Sequence, residues 1–121
     1  MTVLPSRQPS FARIWRGRTT RARADAYETY LLEAGIEPLL AKALGAQAFR
    51  EDQAQETEFV TISYWASLED MTTFTGGEPW AVHHLERDPE FLLELPREVQ
   101  VVRLLSSHGI IAPATRPASR A

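Results

Sequence analysis

The segment from Thr57 to Trp65 is the sequence feature that most constrains the fold. It reads TEFVTISYW, and its β-branched and aromatic residues are typical of a β-strand. Successive side chains of a strand point to opposite faces. One face would carry Val60, Ile62 and Tyr64, and the other Phe59, Thr61, Ser63 and Trp65. Because both faces carry large apolar side chains, the strand must be covered on both sides.

The rest of the chain predicts the elements that surround this strand. Phe11 to Arg18 alternates as a second strand that is also apolar on both faces. The period then changes to that of a helix, which Gly35 and Pro38 should interrupt. The remaining predicted elements are a short strand over Ala46–Arg50, a helix capped by Ser67 and ended by Gly76-Gly77, a short helix from Pro79, and a strand over Val99–Leu105.

This order of elements predicts a ferredoxin-like α+β fold. Strand, broken helix, strand, strand, helix, strand is a split β-α-β arrangement, in which one four-stranded antiparallel sheet carries both helices on one face. The chain of 121 residues is long enough for one domain. We expect that domain over residues 10–106, a flexible N-terminal arm over residues 1–9, and a disordered C-terminal tail over residues 107–121.

The two faces of the sheet are expected to have different partners. We predict that Ile14, Ile62 and Tyr64 face the helices. The other face would then expose a large apolar patch, which normally marks an association site. The patch would consist of Phe11, Trp15, Phe59 and Trp65. A homodimer sealed sheet to sheet follows from this arrangement.

Composition excludes several classes of function. With 13 basic and 16 acidic residues the net charge is −3, which disfavours nucleic acid as a partner. Five arginines lie between Arg13 and Arg23; they form either a solvated strand edge or a patch that steers an anionic ligand. The absence of cysteine excludes thiolate metal sites, and no apolar run approaches the roughly 20 residues of a membrane span. A cytoplasmic protein is expected.

Four stretches of the chain resemble the antibiotic biosynthesis monooxygenase superfamily. They are FARIWRGRT, AGIEPLL, TEFVTISYW followed by ASLEDMTTF, and FLLELPREVQVVRLL. The resemblance implies a dimeric α+β barrel. One branch of this superfamily oxidises aromatic polyketides to quinones with molecular oxygen and without metal or flavin, and another degrades haem.

Alignment with the haem-degrading branch places its three functional positions on this chain. The haem-ligating His falls on His84, the Trp on Phe74 and the Asn on Ile14. Two of the three polar groups are therefore lost. The resemblance implies no cofactor here, and haem binding through His84 is a weaker alternative.

The sequence thus favours a cofactor-independent monooxygenase that acts on a small aromatic substrate resembling a polyketide or a quinol. His84 is the candidate catalytic base. The substrate would lie between sheet and helices, where the candidate walls are Ile14, Arg16, Tyr30, Leu40, Ile62, Tyr64, Phe74 and Trp80. On a helix His83 would point about 100° away from His84, so it would not share the role of His84. No metal site is expected. A non-catalytic dimeric protein that binds a small apolar ligand is the alternative.

Overall fold

The computed structural model describes residues 8–109. The predicted arm and tail lie mostly outside the described residues. The strands are β1 (Phe11–Thr20), β2 (Gly45–Asp52), β3 (Glu56–Trp65) and β4 (Gln100–Arg103); the α-helices are α1 (Arg21–Tyr30), α2 (Glu37–Leu40), α3 (Leu68–Thr75) and α4 (Asp88–Phe91); a π-helix spans Leu31–Ile36.

The four strands form one sheet in the order β2-β3-β1-β4, and every neighbouring pair is antiparallel. The central pair, β1 and β3, runs in register from Phe11 opposite Trp65 to Thr20 opposite Glu56. This order is that of a split β-α-β fold, so the predicted ferredoxin-like α+β class is confirmed.

The first helix of the chain is not interrupted where the sequence predicts a break. Thr20 caps α1 by accepting a hydrogen bond from the backbone N–H of Arg23. The chain then continues as a π-helix into α2, and Glu37 donates its N–H to the carbonyl of Leu32, five residues back. Pro38 has no N–H and would clash with the carbonyl four residues before it in an α-helix. Widening to a π-helix avoids that clash without ending the helix.

The second helical region confirms one predicted helix and corrects another. Ser67 caps α3 through the N–H of Asp70 at 3.0 Å, and Gly76 ends it with a φ of 77°. The predicted short helix from Pro79 is wrong, because residues 79–87 are not helical and Ala81 instead pairs with Glu98. The guanidinium of Arg13 donates hydrogen bonds to the carbonyls of Pro79 and Ala81. These bonds stabilise the non-helical conformation of the segment.

The two faces of the sheet are the reverse of the sequence prediction. Phe59 packs against Tyr27 of α1 with ring centroids 5.1 Å apart, and Trp65 packs against Phe74 of α3 at the same distance. Phe59 and Trp65 are therefore buried inside the protomer. The predicted dimer interface is wrong, because all of its members lie under the helices: Phe11, Trp15, Phe59 and Trp65. The uncovered face carries instead Ile14, Val60, Ile62, Tyr64 and Phe49.

Candidate functional site

A pocket of about 210 Å³ lies between the covered face of the sheet and the helical layer. The sheet contributes Arg13, Trp15, Thr61 and Ser63. The helical layer and the segment after it contribute Tyr27, Leu31, Ala34, Gly35, Ile36, Pro38, Leu39 and Lys42. The far wall consists of Phe74, His83, Leu85, Asp88 and Val99. Most of these side chains are apolar, so the few polar groups decide what the pocket can recognise.

Phe74 is the one predicted wall residue that lines this pocket. Four others are wrong because they lie on the opposite face of the sheet: Ile14, Arg16, Ile62 and Tyr64. The hydroxyl of Tyr64 donates there to Gln47 at 2.8 Å. Leu40 and Trp80 are about half exposed, and the hydroxyl of Tyr30 accepts the N–H of Arg87; none of the three lines the pocket.

His84, the predicted base, is exposed and lies outside the pocket. Its neighbour His83 lines the rim and places its ring 4.9 Å from that of Phe74. The expected separation of about 100° between the two histidines requires a helix, and residues 79–87 are not helical. The prediction that His84 faces the pocket is therefore wrong.

Trp15 forms part of the pocket floor because Gly17 leaves room for its indole ring. A Cβ on Gly17 would lie 2.5 Å from an atom of that ring and 3.3 Å from Leu92. Both distances are shorter than a normal van der Waals contact. The Trp-x-Gly spacing on one face of β1 is thus a sequence signal for a ring lying along the strand.

Arg13 brings a positive charge into the pocket wall. Its Nε donates to the carbonyl of Pro79 at 3.0 Å, its Nη2 donates to that of Ala81 at 2.6 Å, and the guanidinium lies 5.3 Å from the ring centroid of Phe74. Within residues 8–109 no carboxylate pairs with it. Burial lowers the pKa of Arg13 to about 10. The wall therefore holds a cation whose partners are neutral.

Two hydroxyls on β3 lie beside this cation. Ser63 is the cross-strand partner of Arg13 and accepts the indole N–H of Trp65 at 2.9 Å, so its own proton remains to be donated. The hydroxyl oxygen of Thr61 is buried and has no hydrogen-bond partner in the described part of the chain. The sheet side of the pocket thus offers donors next to a positive charge.

A buried acid occupies another part of the wall. Tyr27 donates its hydroxyl to Oδ1 of Asp88 at 3.0 Å, and the N–H of Leu85 donates to Oδ2 at 3.1 Å. Asp88 is only 1% exposed. Burial raises the pKa of Asp88 and that of Tyr27, since each charged form loses its hydration. Asp88 is thus a carboxyl whose proton affinity is increased within a ligand-sized pocket.

Sequence reasoning missed the polar groups of the pocket. Arg13 is one of five clustered arginines, and the cluster predicts a solvated strand edge or a steering patch and not a buried cation. Asp88 stands directly before Pro89, and a residue before proline is disfavoured in a helix. Pro89 in fact lies in the first turn of α4, a position that tolerates proline.

Residues 8–109 contain neither a cluster of metal ligands nor a helix that could span a membrane. No three His, Asp or Glu side chains come together in a way that could hold a metal ion. None of the helices in this range combines the length and apolar character required to span a bilayer.

The order and pairing of the strands place this chain among ferredoxin-like α+β proteins. A protein of unknown function from Nitrosomonas europaea is similar at a TM-score of 0.60 and 17% identity, covering 88% of this chain and 100% of the other. A putative antibiotic biosynthesis monooxygenase from Bacillus cereus is similar at 0.58 and 12% identity, covering 85% and 100%. The sequence matches no protein-family model and no curated protein. The ferredoxin-like fold that the sequence predicted is thereby confirmed.

Proposed function

We propose that this protein binds an aromatic molecule of one or two rings in the pocket and oxidises it with molecular oxygen, without a cofactor. The observation that carries the proposal is the pocket of about 210 Å³, whose walls include Trp15 and Phe74. A cavity of about 150 Å³ in an engineered protein holds benzene, so this pocket suits a slightly larger planar ring system. The fold shared with a putative antibiotic biosynthesis monooxygenase favours the same chemistry.

A naphthol illustrates the reaction. Loss of the hydroxyl proton gives an electron-rich anion, whose ring carbon para to the oxygen reacts with O₂. One oxygen atom stays on that carbon as the second carbonyl of a 1,4-quinone. The other leaves as water together with the two hydrogens lost from the hydroxyl and the ring carbon. One naphthol and one O₂ thus give one naphthoquinone and one water.

Asp88 is the group in the pocket best suited to take the first proton. Its burial favours the protonated form, so its proton affinity is closer to that of a weakly acidic substrate than that of an exposed carboxylate. Tyr27 donates to it and so fixes the carboxylate. Apolar side chains around the ring exclude water, which strengthens each polar contact.

Oxygen uptake with 1-naphthol tests this proposal. The metal-free protein should consume O₂ and form the quinone, and Asp88→Asn should lower kcat by about 10²-fold or more, the usual contribution of a general base. Glu86→Gln is the matched control, since Glu86 is an exposed acid two residues away, and it should leave the rate unchanged. Equal rates for the two variants would contradict the role of Asp88 as the base. Uptake no faster than without protein would contradict catalysis.

Binding without catalysis is the second candidate function. The contacts of Asp88 favour it, because both carboxylate oxygens already accept hydrogen bonds from Tyr27 and Leu85. A saturable complex with 1-naphthol that consumes no oxygen would establish this function in place of the oxygenase.

Haem binding through His84 is not favoured. The histidine lies outside the pocket, and a pocket sized for one or two rings is small for a macrocycle of four pyrroles.

We also propose that two copies of the chain associate through the uncovered face of the sheet. Its apolar side chains need cover, and the superfamily that the sequence resembles is dimeric. Ile62→Glu on this face should give a monomer in light scattering at micromolar concentration. Leu40→Glu, at a half-exposed position of α2, is the control and should remain dimeric. A wild-type monomer would contradict the proposal.

A further inference from the structure

We propose that the pocket holds its ligand by an anionic oxygen, at a subsite formed by Arg13, Ser63 and Thr61. The subsite deepens the proposed function, on whose aromatic ligand it rests. It assigns the substrate class: an aromatic compound that binds with an ionised carboxyl or hydroxyl group.

No anion within the described range neutralises the charge of Arg13. The residue is 6% exposed, and its hydrogen bonds within the described range go to two backbone carbonyls. A buried cation without an anion is unfavourable, because neutral acceptors replace only part of the lost hydration. An anionic oxygen in the pocket would offset that cost, and a neutral ligand would not.

The hydroxyl of Thr61 also indicates a missing ligand. Thr61 is 8% exposed and lines the pocket, and its Oγ1 has no partner among the described residues. Buried polar groups are nearly always hydrogen-bonded, so an orphan of this kind points to a group that the structure does not contain. Because Thr61 lines the pocket, rotation about its χ1 torsion would turn this hydroxyl toward a ligand oxygen, which would then serve as its acceptor.

The arrangement of the three donors favours a ligand with two anionic oxygens. Arg13 and Ser63 are paired across β1 and β3, and Thr61 follows two residues away on the same face. Alternate residues of a strand are about 7 Å apart. The two oxygens of a carboxylate span such a gap better than a single phenolate oxygen, while either anion gains from the adjacent guanidinium.

Calorimetric titration with three naphthalene derivatives tests the subsite. The probes are 1-naphthoate, 1-naphthalenemethanol as its neutral counterpart, and 1-naphthol at pH values below and above the pKa of its hydroxyl. We expect 1-naphthoate to bind at least tenfold more tightly than the neutral alcohol. Tighter binding of 1-naphthol only above its pKa would identify a phenolate as a second acceptable anion.

Thr61→Val is the decisive variant, because valine keeps the shape and removes the orphan hydroxyl. It should lower the affinity for 1-naphthoate about tenfold and leave the affinity for the neutral alcohol unchanged. Thr57→Val is the matched control: Thr57 is equally buried on the same face of β3, but its hydroxyl donates to Asp52. It should leave the affinity for both probes unchanged.

Arg13→Lys and Arg13→Gln add a test of charge. The lysine variant should retain part of the preference for 1-naphthoate, and the glutamine variant should lose it. If these variants do not fold, Thr61→Val still decides the matter. Equal affinity for the acid and the alcohol, or an unchanged preference in Thr61→Val, overturns the subsite while leaving the pocket proposal intact. Failure of every probe to bind overturns the proposed function itself.

Discussion

Removing the hydroxyl of Tyr27 tests whether the buried pair with Asp88 stabilises the fold. Tyr27 is fully buried and Asp88 nearly so, so Tyr27→Phe leaves Oδ1 of Asp88 without a donor where bulk water does not reach. A buried acceptor that is left without a donor costs about 1–3 kcal/mol. We therefore expect the free energy of unfolding at pH 7 to fall by about 2 kcal/mol. The ring itself remains, so no cavity adds to the loss.

Urea denaturation followed by circular dichroism measures this change. The transition midpoint should fall while its slope stays constant, and the melting temperature should drop by roughly 10 °C. Tyr30→Phe is the control: this residue also lies on α1, but its hydroxyl accepts an exposed N–H from Arg87, so the loss should stay below about 1 kcal/mol. Equal losses in the two variants would refute the reasoning.

Two further predictions concern Gly17 and the titration of Asp88. Gly17→Ala should lower the free energy of unfolding by about 1–3 kcal/mol, because the new Cβ meets the ring of Trp15; in the same denaturation assay Gly45→Ala, with no atom within 4 Å, should change it little, and similar effects would contradict the packing argument. Burial raises the pKa of Asp88 in the folded state, so the folded protein binds this proton more tightly than the unfolded chain. The stability of the wild type relative to Asp88→Asn should then decrease as pH rises from about 4. A difference that does not vary with pH would count against a buried titrating carboxyl.

The order of elements could be predicted because each carries a local signal. Alternation over Thr57–Trp65 and the serine cap at Ser67 depend on the residues of one segment alone, and both were confirmed. The helix expected from Pro79 failed for a non-local reason. Two carbonyls of that segment are bound by Arg13, more than sixty residues away in sequence, and no window around Pro79 contains this information.

The choice between the two faces of the sheet could not be made from alternation. Strand geometry sorts side chains into two sets but does not say which set the helices cover. Here the covered set contains Thr57, Thr61 and Ser63, while Val60 and Ile62 lie on the open side. Phe59 and Trp65 also belong to the covered set, so hydrophobicity does not decide between the two faces. The small residues of the covered set were the feature that indicated the correct face, because they leave room for a ligand between the sheet and the helices.

The pocket itself follows from the residues that make the first helix irregular. Ala34, Gly35 and Pro38 line it, and all three present little side chain. Gly35 packs so closely that a Cβ there would come within 3.1 Å of methyl groups of Leu31 and Leu85. The π-helix keeps the chain helical while Pro38 withholds a donor. Protein interiors are normally close-packed, and the pocket remains open because these three positions of the irregular helix carry no large side chain.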